Sequence, residues 1–563
     1  MAEDNNITTI LLGGEAGDGV KEAGISFSKL LLEVGQKLFI SFEYPSLIRG
    51  GHNSCSLSFS NEKVFNNLNE LDIVIAFNKE TVELHKKELR KGGIIIIDSD
   101  KAATSNNNLA LPMSAFTKKQ NAHHLARTSV ALGALVYYFS LPLNKLEKIF
   151  KESFKNKAKD NIVLARQGFE YAKKNNWPQL KIKIAKKGTA RLIDGNQAFA
   201  EGLLSAGLEN YIAYPMTPAT SILHFLAEHK DKYKIKVIQP ENEIAAAIMA
   251  IGASYAGKRS AVGTSGGGFA LMQESFSLAG ITEIPFVAVI SQRPGPATGV
   301  PTGTGQADLA MLKNAGHGEF PLVVLAPGDA EESYEAGARA LNLAWQFQVP
   351  VLVLLDKHLS ESIASVDLKE NKKIVRGKLA NIKEKNYKRY SFFKDGISPM
   401  AFPGTRGLSV KSNSYEHDER GIVTENPTIV KKMFDKRFKK IPLIIREINN
   451  QSPLKVYGDK KATNAIIFWG STKGAVLEAI KNIKQSIKAI QIISMEPFPD
   501  KKLASELKQI KKIIAVEGNA IGQLASLIRE KTGIEIKNKI LRYDSKPFNP
   551  ADLAEKINKE LKK

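Results

Sequence analysis

Cysteine is almost absent from this chain, because Cys55 is the only one among 563 residues. A lone cysteine excludes disulfides within the chain, and it excludes a four-thiolate iron–sulfur cluster or a zinc site built on cysteines. Long hydrophobic runs are absent as well, since no stretch reaches the roughly 18 apolar residues that span a bilayer. Residues 1–6 are polar and acidic, unlike a signal peptide. We therefore expect a cytoplasmic protein with no membrane partner.

The charge balance is strongly basic, with 80 lysine and arginine residues against 58 acidic ones and a formal net charge of +22. The excess is mostly lysine, scattered through amphipathic segments such as residues 501–512 and 556–563. No arginine-rich cluster interleaved with aromatics is present, which disfavours a nucleic-acid partner and its salt-sensitive binding. Solvated helix faces explain the lysines better, although a basic surface can also steer an acidic protein partner.

The length predicts roughly three or four domains of about 150 residues each. Strand and helix patterns alternate over residues 1–180, 188–365 and 453–563, whereas residues 366–452 carry glycine, proline and polar runs typical of an extended arm or linker. Such alternation is typical of parallel sheets covered on both faces by helices. The predicted fold class is therefore α/β, with three α/β domains and an arm.

A glycine-rich elbow joins the first predicted strand to the first predicted helix. The run Ile7 to Leu12 predicts a buried strand, Gly13 to Gly19 a tight turn, and Val20 to Val34 a helix. An anion can bind at such a helix N-terminus. However, Val20 stands where a phosphate-binding loop has lysine, and the dinucleotide spacing lacks its last glycine. A nicotinamide-dependent oxidoreductase is thus a weak alternative, and an elbow that serves only helix–strand packing is at least as well supported.

Three residues of the second predicted domain are candidates for chemistry. Thr217 lies between Pro215 and Pro218, which restrict the backbone around its hydroxyl. Glu243 precedes an alanine-rich helix, and Arg293, suited to gripping a carboxylate, follows an apolar strand. In an open parallel sheet such positions meet at the carboxyl edge, where ligands bind. Taken singly, Glu243 is equally typical of helix capping, Thr217 of a turn and Arg293 of a salt bridge.

Several runs stand in order along the chain: Ile48-Arg49-Gly50-Gly51-His52, Tyr214-Pro215-Met216-Thr217-Pro218, Glu241-Asn242-Glu243-Ile244-Ala245, Thr264-Ser265-Gly266-Gly267-Gly268-Phe269, Gln292-Arg293-Pro294-Gly295-Pro296-Ala297-Thr298-Gly299, Gly404-Thr405 and Glu416-His417-Asp418-Glu419. Together they resemble the signatures of the 2-oxoacid:ferredoxin oxidoreductase family, as an alpha subunit with the gamma domain fused in front of it. The resemblance covers nearly the whole chain. Four residues depart from the commoner family pattern, each beside a functional position, and leave substrate preference open: Met216, Asn242, Gly267 and Pro294.

The resemblance implies a Rossmann-like gamma domain, a thiamine-diphosphate pyrimidine-binding domain with a parallel sheet, and a domain like the C-terminal domain of transketolase. Thiamine diphosphate would be shared with a separate beta subunit, which is expected to carry a magnesium ion and an iron–sulfur cluster. The implied reaction is the coenzyme A-dependent oxidative decarboxylation of a 2-oxoacid, 2-oxoglutarate or pyruvate, with electrons passing to ferredoxin. The chain alone is expected to be inactive.

The resemblance also implies a role for each candidate residue. Glu243 would be catalytic and would hydrogen-bond the cofactor pyrimidine, while Thr217 and Arg293 would bind the substrate carboxylate. The remaining candidates are expected cofactor contacts (Tyr214, Pro215 and Ser265) or residues that enclose coenzyme A or form an interface (Gly14, Gly17, Gly19 and Arg49). No metal ligand is expected on this chain. The alternative is a non-catalytic paralogue that only assembles with other subunits, which the intact Glu243 and Arg293 disfavour.

Overall fold

The computed structural model describes residues 7–45, 51–101, 108–369, 373–381, 383 and 386–563. These residues form two compact units. The first contains the described residues up to 193, together with residues 362–367 and 549–552. The second contains the described residues within 194–361, 368–548 and 553–563.

The strands of the described ranges, in chain order, are β1 (Thr8–Glu15), β2 (Lys37–Glu43), β3 (His52–Ser60), β4 (Leu71–Ala76), β5 (Leu89–Asp98), β6 (Asn108–Leu111), β7 (Arg191–Asp194), β8 (Asn210–Ile212), β9 (Lys236–Ile238), β10 (Ser260–Thr264), β11 (Phe286–Gln292), β12 (Val323–Leu325), β13 (Pro350–Asp356), β14 (Ile363–Val366), β15 (Leu454–Gly458), β16 (Asn464–Trp469), β17 (Lys488–Ile492), β18 (Ser494–Glu496), β19 (Lys512–Glu517) and β20 (Asn538–Leu541).

The α-helices are α1 (Val20–Glu33), α2 (Lys79–His85), α3 (Met113–Lys119), α4 (Arg127–Tyr138), α5 (Leu143–Phe154), α6 (Ala158–Lys174), α7 (Gly195–Ser205), α8 (Thr220–Tyr233), α9 (Glu243–Tyr255), α10 (Gly266–Leu271), α11 (Gln273–Thr282), α12 (Leu309–Lys313), α13 (Ala330–Phe347), α14 (Lys357–Glu361), α15 (Pro427–Phe438), α16 (Ile441–Asn450), α17 (Thr472–Lys481), α18 (Asp500–Leu507), α19 (Gln523–Thr532) and α20 (Pro550–Lys562). Within the described part of the chain, no helix combines the length and apolar character needed to cross a membrane.

The sheet of the first unit has the strand order β6-β5-β4-β1-β3-β2-β14-β7. Its central strand β1 pairs parallel with β4 and antiparallel with β3. Strand β1 is longer than the sequence predicts, because Gly13 and Gly14 pair with Ser54 and Asn53 of β3 and carry the strand on to Glu15. The tight turn of the elbow is therefore confined to residues 16–19, immediately before α1.

The second unit contains two sheets. The larger has the order β18-β12-β13-β11-β10-β8-β9, and the smaller has the order β15-β17-β16-β19-β20. Strands β8 to β13 pair parallel with one another, as the alternation of strands and helices predicts, and β18 joins the edge of their sheet antiparallel to β12. One hydrophobic core is shared by both sheets, with Phe286 and Ile290 on the larger and Trp469 and Ile490 on the smaller.

A buried cluster of charges anchors helices α15 and α16, which end the arm predicted from the sequence. Glu283 follows α11 and is 1% exposed, and its carboxylate pairs with Lys436 at 2.6 Å and with Lys440. Burial alone would raise the pKa of Glu283, but the two ammonium groups outweigh it and hold that pKa well below its usual range. This ion cluster thus attaches the arm, and removing any one of its charges would strongly destabilise the fold.

We predict that Glu283→Gln destabilises the chain by about 3–5 kcal/mol, because it leaves two ammonium groups buried without a counter-charge. The matched control is Glu530→Gln, which removes the carboxylate that pairs with Lys313 at an exposed position and should cost less than about 1 kcal/mol. Chemical denaturation of the two variants measures the difference. Equal losses in both would show that the buried cluster has no special weight.

Candidate active site

Four neighbouring parallel strands end at one edge of the larger sheet, in the order β9, β8, β10, β11. Glu243 begins the helix after β9, Thr217 lies in the loop after β8, Ser265 directly follows β10, and Arg293 directly follows β11. The structure therefore brings together these four candidate residues, of which Thr217 and Arg293 are 76 positions apart in the chain. Tyr214 and Pro215 lie in the same loop as Thr217, with Tyr214 38% exposed.

The Glu243 side chain is almost fully buried, at 3% exposure, and its Oε1 atom has no hydrogen-bond partner among the described residues. Its position at the first residue of α9 suggested a capping role, but Asn242 caps this helix by accepting the Ala245 N–H at 2.9 Å. A buried carboxylate oxygen without a partner is costly. Glu243 is therefore free to bind a group that this chain does not supply.

The glycine run after Ser265 packs directly against this carboxylate. A Cβ atom on Gly268 would lie 2.7 Å from Glu243 Oε1 and would also collide with Thr264 Oγ1, so a side chain there displaces both. Gly267, in contrast, faces open space, since the nearest atom to a Cβ added there would be the Ala297 carbonyl oxygen at 4.0 Å. Ser265 Oγ is buried and lacks a partner within the described residues. A ligand can therefore approach the backbone closely at Gly267, the residue before the glycine that packs against the Glu243 carboxylate.

Arg293 and Thr217 contact each other across the same edge. Arg293 Nη1 donates to the Thr217 carbonyl oxygen at 2.8 Å, and burial lowers the pKa of the guanidinium below its ordinary value. The contact uses the threonine carbonyl and does not involve its hydroxyl. A guanidinium held from one side can present its other N–H groups to a carboxylate.

Asp308, which the sequence motifs did not indicate, belongs to this site. Its carboxyl group lies against Gly266, its buried Oδ2 has no partner among the described residues, and burial raises its pKa to about 6. Its N–H donates to Gln292 Oε1 at 3.0 Å, next to Arg293 in the chain. The available signal was the polar run Gln306-Ala307-Asp308 directly before the apolar start of α12. Two carboxyl groups, from Glu243 and Asp308, thus flank the three glycines at the start of α10, residues 266–268, which are called the glycine turn below.

The elbow of the first unit is only partly open. The space beside Gly14 is filled by the Asp18 carboxylate, which accepts the Glu15 N–H at 2.8 Å and pairs with Arg127 at 2.5 Å. Gly17 and Gly19 have left-handed backbone conformations, with φ of 96° and 76°, and a Cβ added at Gly17 would meet nothing within 4 Å. Arg49, the fourth candidate of this region, lies outside the described residues.

Comparison with known proteins first defines the class. A family model described as pyruvate flavodoxin/ferredoxin oxidoreductase, thiamine diphosphate-binding, matches residues 201–435, which contain the whole candidate site. A second model, pyruvate ferredoxin/flavodoxin oxidoreductase, matches residues 9–171. Both families are oxidoreductases, in agreement with the class expected from the motifs.

Individual relatives narrow this class. The 2-oxoacid:ferredoxin oxidoreductase subunit alpha of Sulfolobus sp is 32% identical, with 98% of this chain and 96% of the relative covered. The 2-oxoglutarate oxidoreductase subunit KorA of Mycobacterium tuberculosis is 26% identical, with 94% and 88% covered. The solved 2-oxoglutarate:ferredoxin oxidoreductase from Magnetococcus marinus, with 2-oxoglutarate, coenzyme A and succinyl-CoA bound, matches with a TM-score of 0.92, 30% identity, and 99% and 100% covered.

The chain belongs to the family of 2-oxoacid:ferredoxin oxidoreductase alpha subunits. The family, the oxidoreductase class and the α/β fold class predicted from the sequence are thereby confirmed. The family is named for a subunit of an enzyme and for ferredoxin, which implies that its members act together with partner proteins.

We predict that Gly268→Ala destabilises the chain by about 1–3 kcal/mol, because the added methyl group collides with the side chains of Glu243 and Thr264. Gly267→Ala is the matched control, since its methyl group would point into open space and alanine favours a helix over glycine. Thermal unfolding should give a clearly lower midpoint temperature for Gly268→Ala than for Gly267→Ala. If Gly267→Ala proved as destabilising as Gly268→Ala, the packing assigned to the Glu243 carboxylate would be incorrect.

Asp308 predicts a specific pH dependence. Its pKa is raised in the folded chain from 3.8 to about 6, so its protonated form contributes stability at low pH that is lost as the pH rises through about 6. Asp308→Asn should remove this loss and should be more stable than the unmodified chain at pH 8, by about 1–2 kcal/mol, but not at pH 4. The measurement is unfolding between pH 4 and pH 8, with the exposed Asp231→Asn as control. An unchanged pH slope in Asp308→Asn would contradict this assignment.

Proposed function

We propose that this chain supplies the pyrimidine-binding half of a thiamine diphosphate site, and that with a beta subunit it catalyses the coenzyme A-dependent oxidative decarboxylation of a 2-oxoacid. The substrate is 2-oxoglutarate or pyruvate, and ferredoxin takes the electrons. The observation that carries this proposal is the buried, unpartnered Oε1 of Glu243 against Gly268, which directly follows the open backbone of Gly267. Both residues lie inside the segment that matches a thiamine diphosphate-binding family model.

The residues at this edge fit the pyrimidine half of thiamine diphosphate. Glu243 Oε1 has no partner among the described residues, and a ring nitrogen of the cofactor can donate to it once that nitrogen carries a proton. Gly267 lets a flat ring approach the backbone, and Ser265 Oγ offers a second polar contact. When bound, thiamine diphosphate supplies the electron sink that decarboxylation requires. Glu243 orients the ring and holds a proton at its nitrogen.

Arg293 is proposed to bind the substrate carboxylate together with Thr217. The Thr217 carbonyl fixes the guanidinium from one side, at 2.8 Å, so its remaining N–H groups are presented in a defined direction. Because the guanidinium is partly buried, its attraction for a carboxylate is less screened than at an exposed position. The same contact holds the group that is lost as carbon dioxide, so Arg293 orients the reacting end of the substrate.

A beta subunit is proposed to cover the face beside the site. Helix α9 exposes Ile244 and Ile248, one helical turn apart, at 49% and 44%, and Leu271 of α10 is 52% exposed. Together with residues of the arm they line a largely apolar groove of about 930 Å³. Large exposed apolar patches mark protein interfaces. We assign the iron–sulfur cluster to this partner because the chain's one cysteine, Cys55, is fully buried in the first unit. We assign the magnesium ion to the same partner, as the family resemblance implies.

The first unit is proposed to enclose coenzyme A or to form an interface. The open side of Gly17 supports this role, and Gly19 and Arg49 are proposed to share it. Gly14 is proposed to contribute to this role less directly, because the Asp18 carboxylate already fills the space beside it. The boundaries at 180, 188, 365 and 453 are proposed to separate this unit, the cofactor-binding domain, the arm and the C-terminal domain.

The test is reconstitution under anaerobic conditions. The chain is co-expressed with its candidate beta subunit, and coenzyme A-dependent viologen reduction is followed with 2-oxoglutarate, pyruvate and branched-chain 2-oxoacids. Activity should require both chains and thiamine diphosphate. A stable complex that binds the cofactor but reduces no viologen with any of these acids would identify a non-catalytic paralogue instead.

Within this assay, Glu243→Gln should lower kcat/KM by about 10²–10⁴-fold, because glutamine keeps the shape but not the proton-holding carboxylate. Glu228→Gln, an exposed position on α8, is the control and should stay within about twofold of the unmodified complex. Full activity of Glu243→Gln would remove the central residue from the proposal.

A further inference from the structure

Residues 303–310, called the bridging segment here, run from the loop after Arg293 into α12 and are bound along their length by the C-terminal part of the chain. The Thr304 N–H donates to the Ser545 carbonyl oxygen at 3.0 Å. Gln523 of α19 donates through Nε2 to the Ala307 carbonyl oxygen at 2.6 Å and accepts the Ala310 N–H at 2.9 Å. The segment therefore takes its conformation from residues more than 200 positions further along the chain.

Gln306 is the centre of these contacts. It is 2% exposed, its N–H donates to the Gly518 carbonyl oxygen at 2.7 Å, and its Oε1 accepts the Gly518 N–H at 2.8 Å. Its Nε2 donates to the Trp469 carbonyl oxygen at 3.0 Å and lies 3.4 Å from Asp356 Oδ2. Asn519 Nδ2 donates to its carbonyl oxygen at 3.2 Å. Every polar group of this residue is thus engaged.

The location of these partners is informative. Trp469 ends β16 and Gly518 follows β19, two neighbouring parallel strands of the smaller sheet, while Asp356 ends β13 of the larger sheet. The carboxyl ends of parallel strands are where an α/β domain normally binds its ligand. In the smaller sheet, called the C-terminal sheet below, the Gln306 side chain occupies this edge.

The bridging segment leads directly to the candidate active site. Asp308 stands two residues after Gln306, with its carboxyl group against Gly266 and its N–H bonded to Gln292 at 3.0 Å. Gln292 in turn donates to the Leu355 carbonyl oxygen at 3.1 Å and immediately precedes Arg293. A displacement of Gln306 would therefore move Asp308 and also Gln292, which immediately precedes Arg293.

We propose that Gln306 is a positioning residue of the active site, through which the C-terminal sheet holds Asp308 against the glycine turn. The C-terminal sheet thereby fixes one of the two carboxyl groups that flank the glycine turn. The effect on catalysis rests on the proposed function, whereas the effect on the conformation of residues 303–310 does not.

The test compares Gln306→Ala with Gln491→Ala in the complex with the beta subunit. Gln491 is also fully buried and also joins the two parts of the second unit, donating to Glu332 Oε2 at 2.6 Å and accepting from Tyr457 at 3.1 Å. It forms no hydrogen bond with the bridging segment in the described structure. Both variants lose a buried amide at the same sheet, so a loss of stability alone affects them alike.

Amide hydrogen exchange is measured for peptides covering residues 303–310, and kcat and KM are measured with the best 2-oxoacid. Gln306→Ala should raise exchange in these peptides and lower kcat about 10- to 100-fold, with a smaller change in KM. Gln491→Ala should leave exchange in these peptides unchanged and kcat within about twofold. The proposal is overturned if Gln306→Ala leaves exchange and kcat unchanged, or if Gln491→Ala lowers kcat as much.

An inactive unmodified complex would count against the proposed function and not by itself against this inference. Exchange then decides alone: faster exchange of residues 303–310 in Gln306→Ala, but not in Gln491→Ala, supports the role of Gln306, and identical exchange in both variants refutes it.

Discussion

The common edge of four parallel strands is the constraint on which the candidate site depends. Strands β9, β8, β10 and β11 all end there, so residues from four separate segments converge without any one loop having to be long. A different chemical group follows each strand. They are the carboxylate of Glu243, the loop with the Thr217 hydroxyl, the glycine turn, and the guanidinium of Arg293. A scaffold of buried strands holds these groups more firmly than free loops could.

The buried carboxylates at this edge differ from Glu283 and Glu332, two other buried carboxylates of the second unit, in the partners that they have. Glu283 and Glu332 are equally buried, but lysines compensate each of them, and Glu332 also accepts from Gln491 at 2.6 Å. Glu243 and Asp308, in contrast, each keep a buried oxygen without a partner among the described residues. The chain therefore pairs its structural carboxylates and leaves unpaired those at the glycine turn, as expected where a ligand completes the site.

The sequence was most informative where the chemistry is local. The motifs around Thr217, Glu243 and Arg293 predicted one sheet edge, and the structure brings these residues to it. It was least informative where partners are distant: Gln306 is held by Trp469 and Gly518, and neither lies within 100 positions of it. No local pattern in Gln306-Ala307-Asp308 announces such contacts. The helix cap was missed for a simpler reason, since Asn242 and Glu243 are both good first-turn residues.

The proposed role of Glu243 is to bind the pyrimidine ring of thiamine diphosphate beside the glycine turn. The most direct measurement is a high-resolution structure of the complex with the beta subunit and the cofactor. We expect the ring to lie over Gly267, with one ring nitrogen within hydrogen-bond distance of Glu243 Oε1. A structure in which the partner subunit's own side chains satisfy Glu243 Oε1, with the ring bound elsewhere, would contradict it.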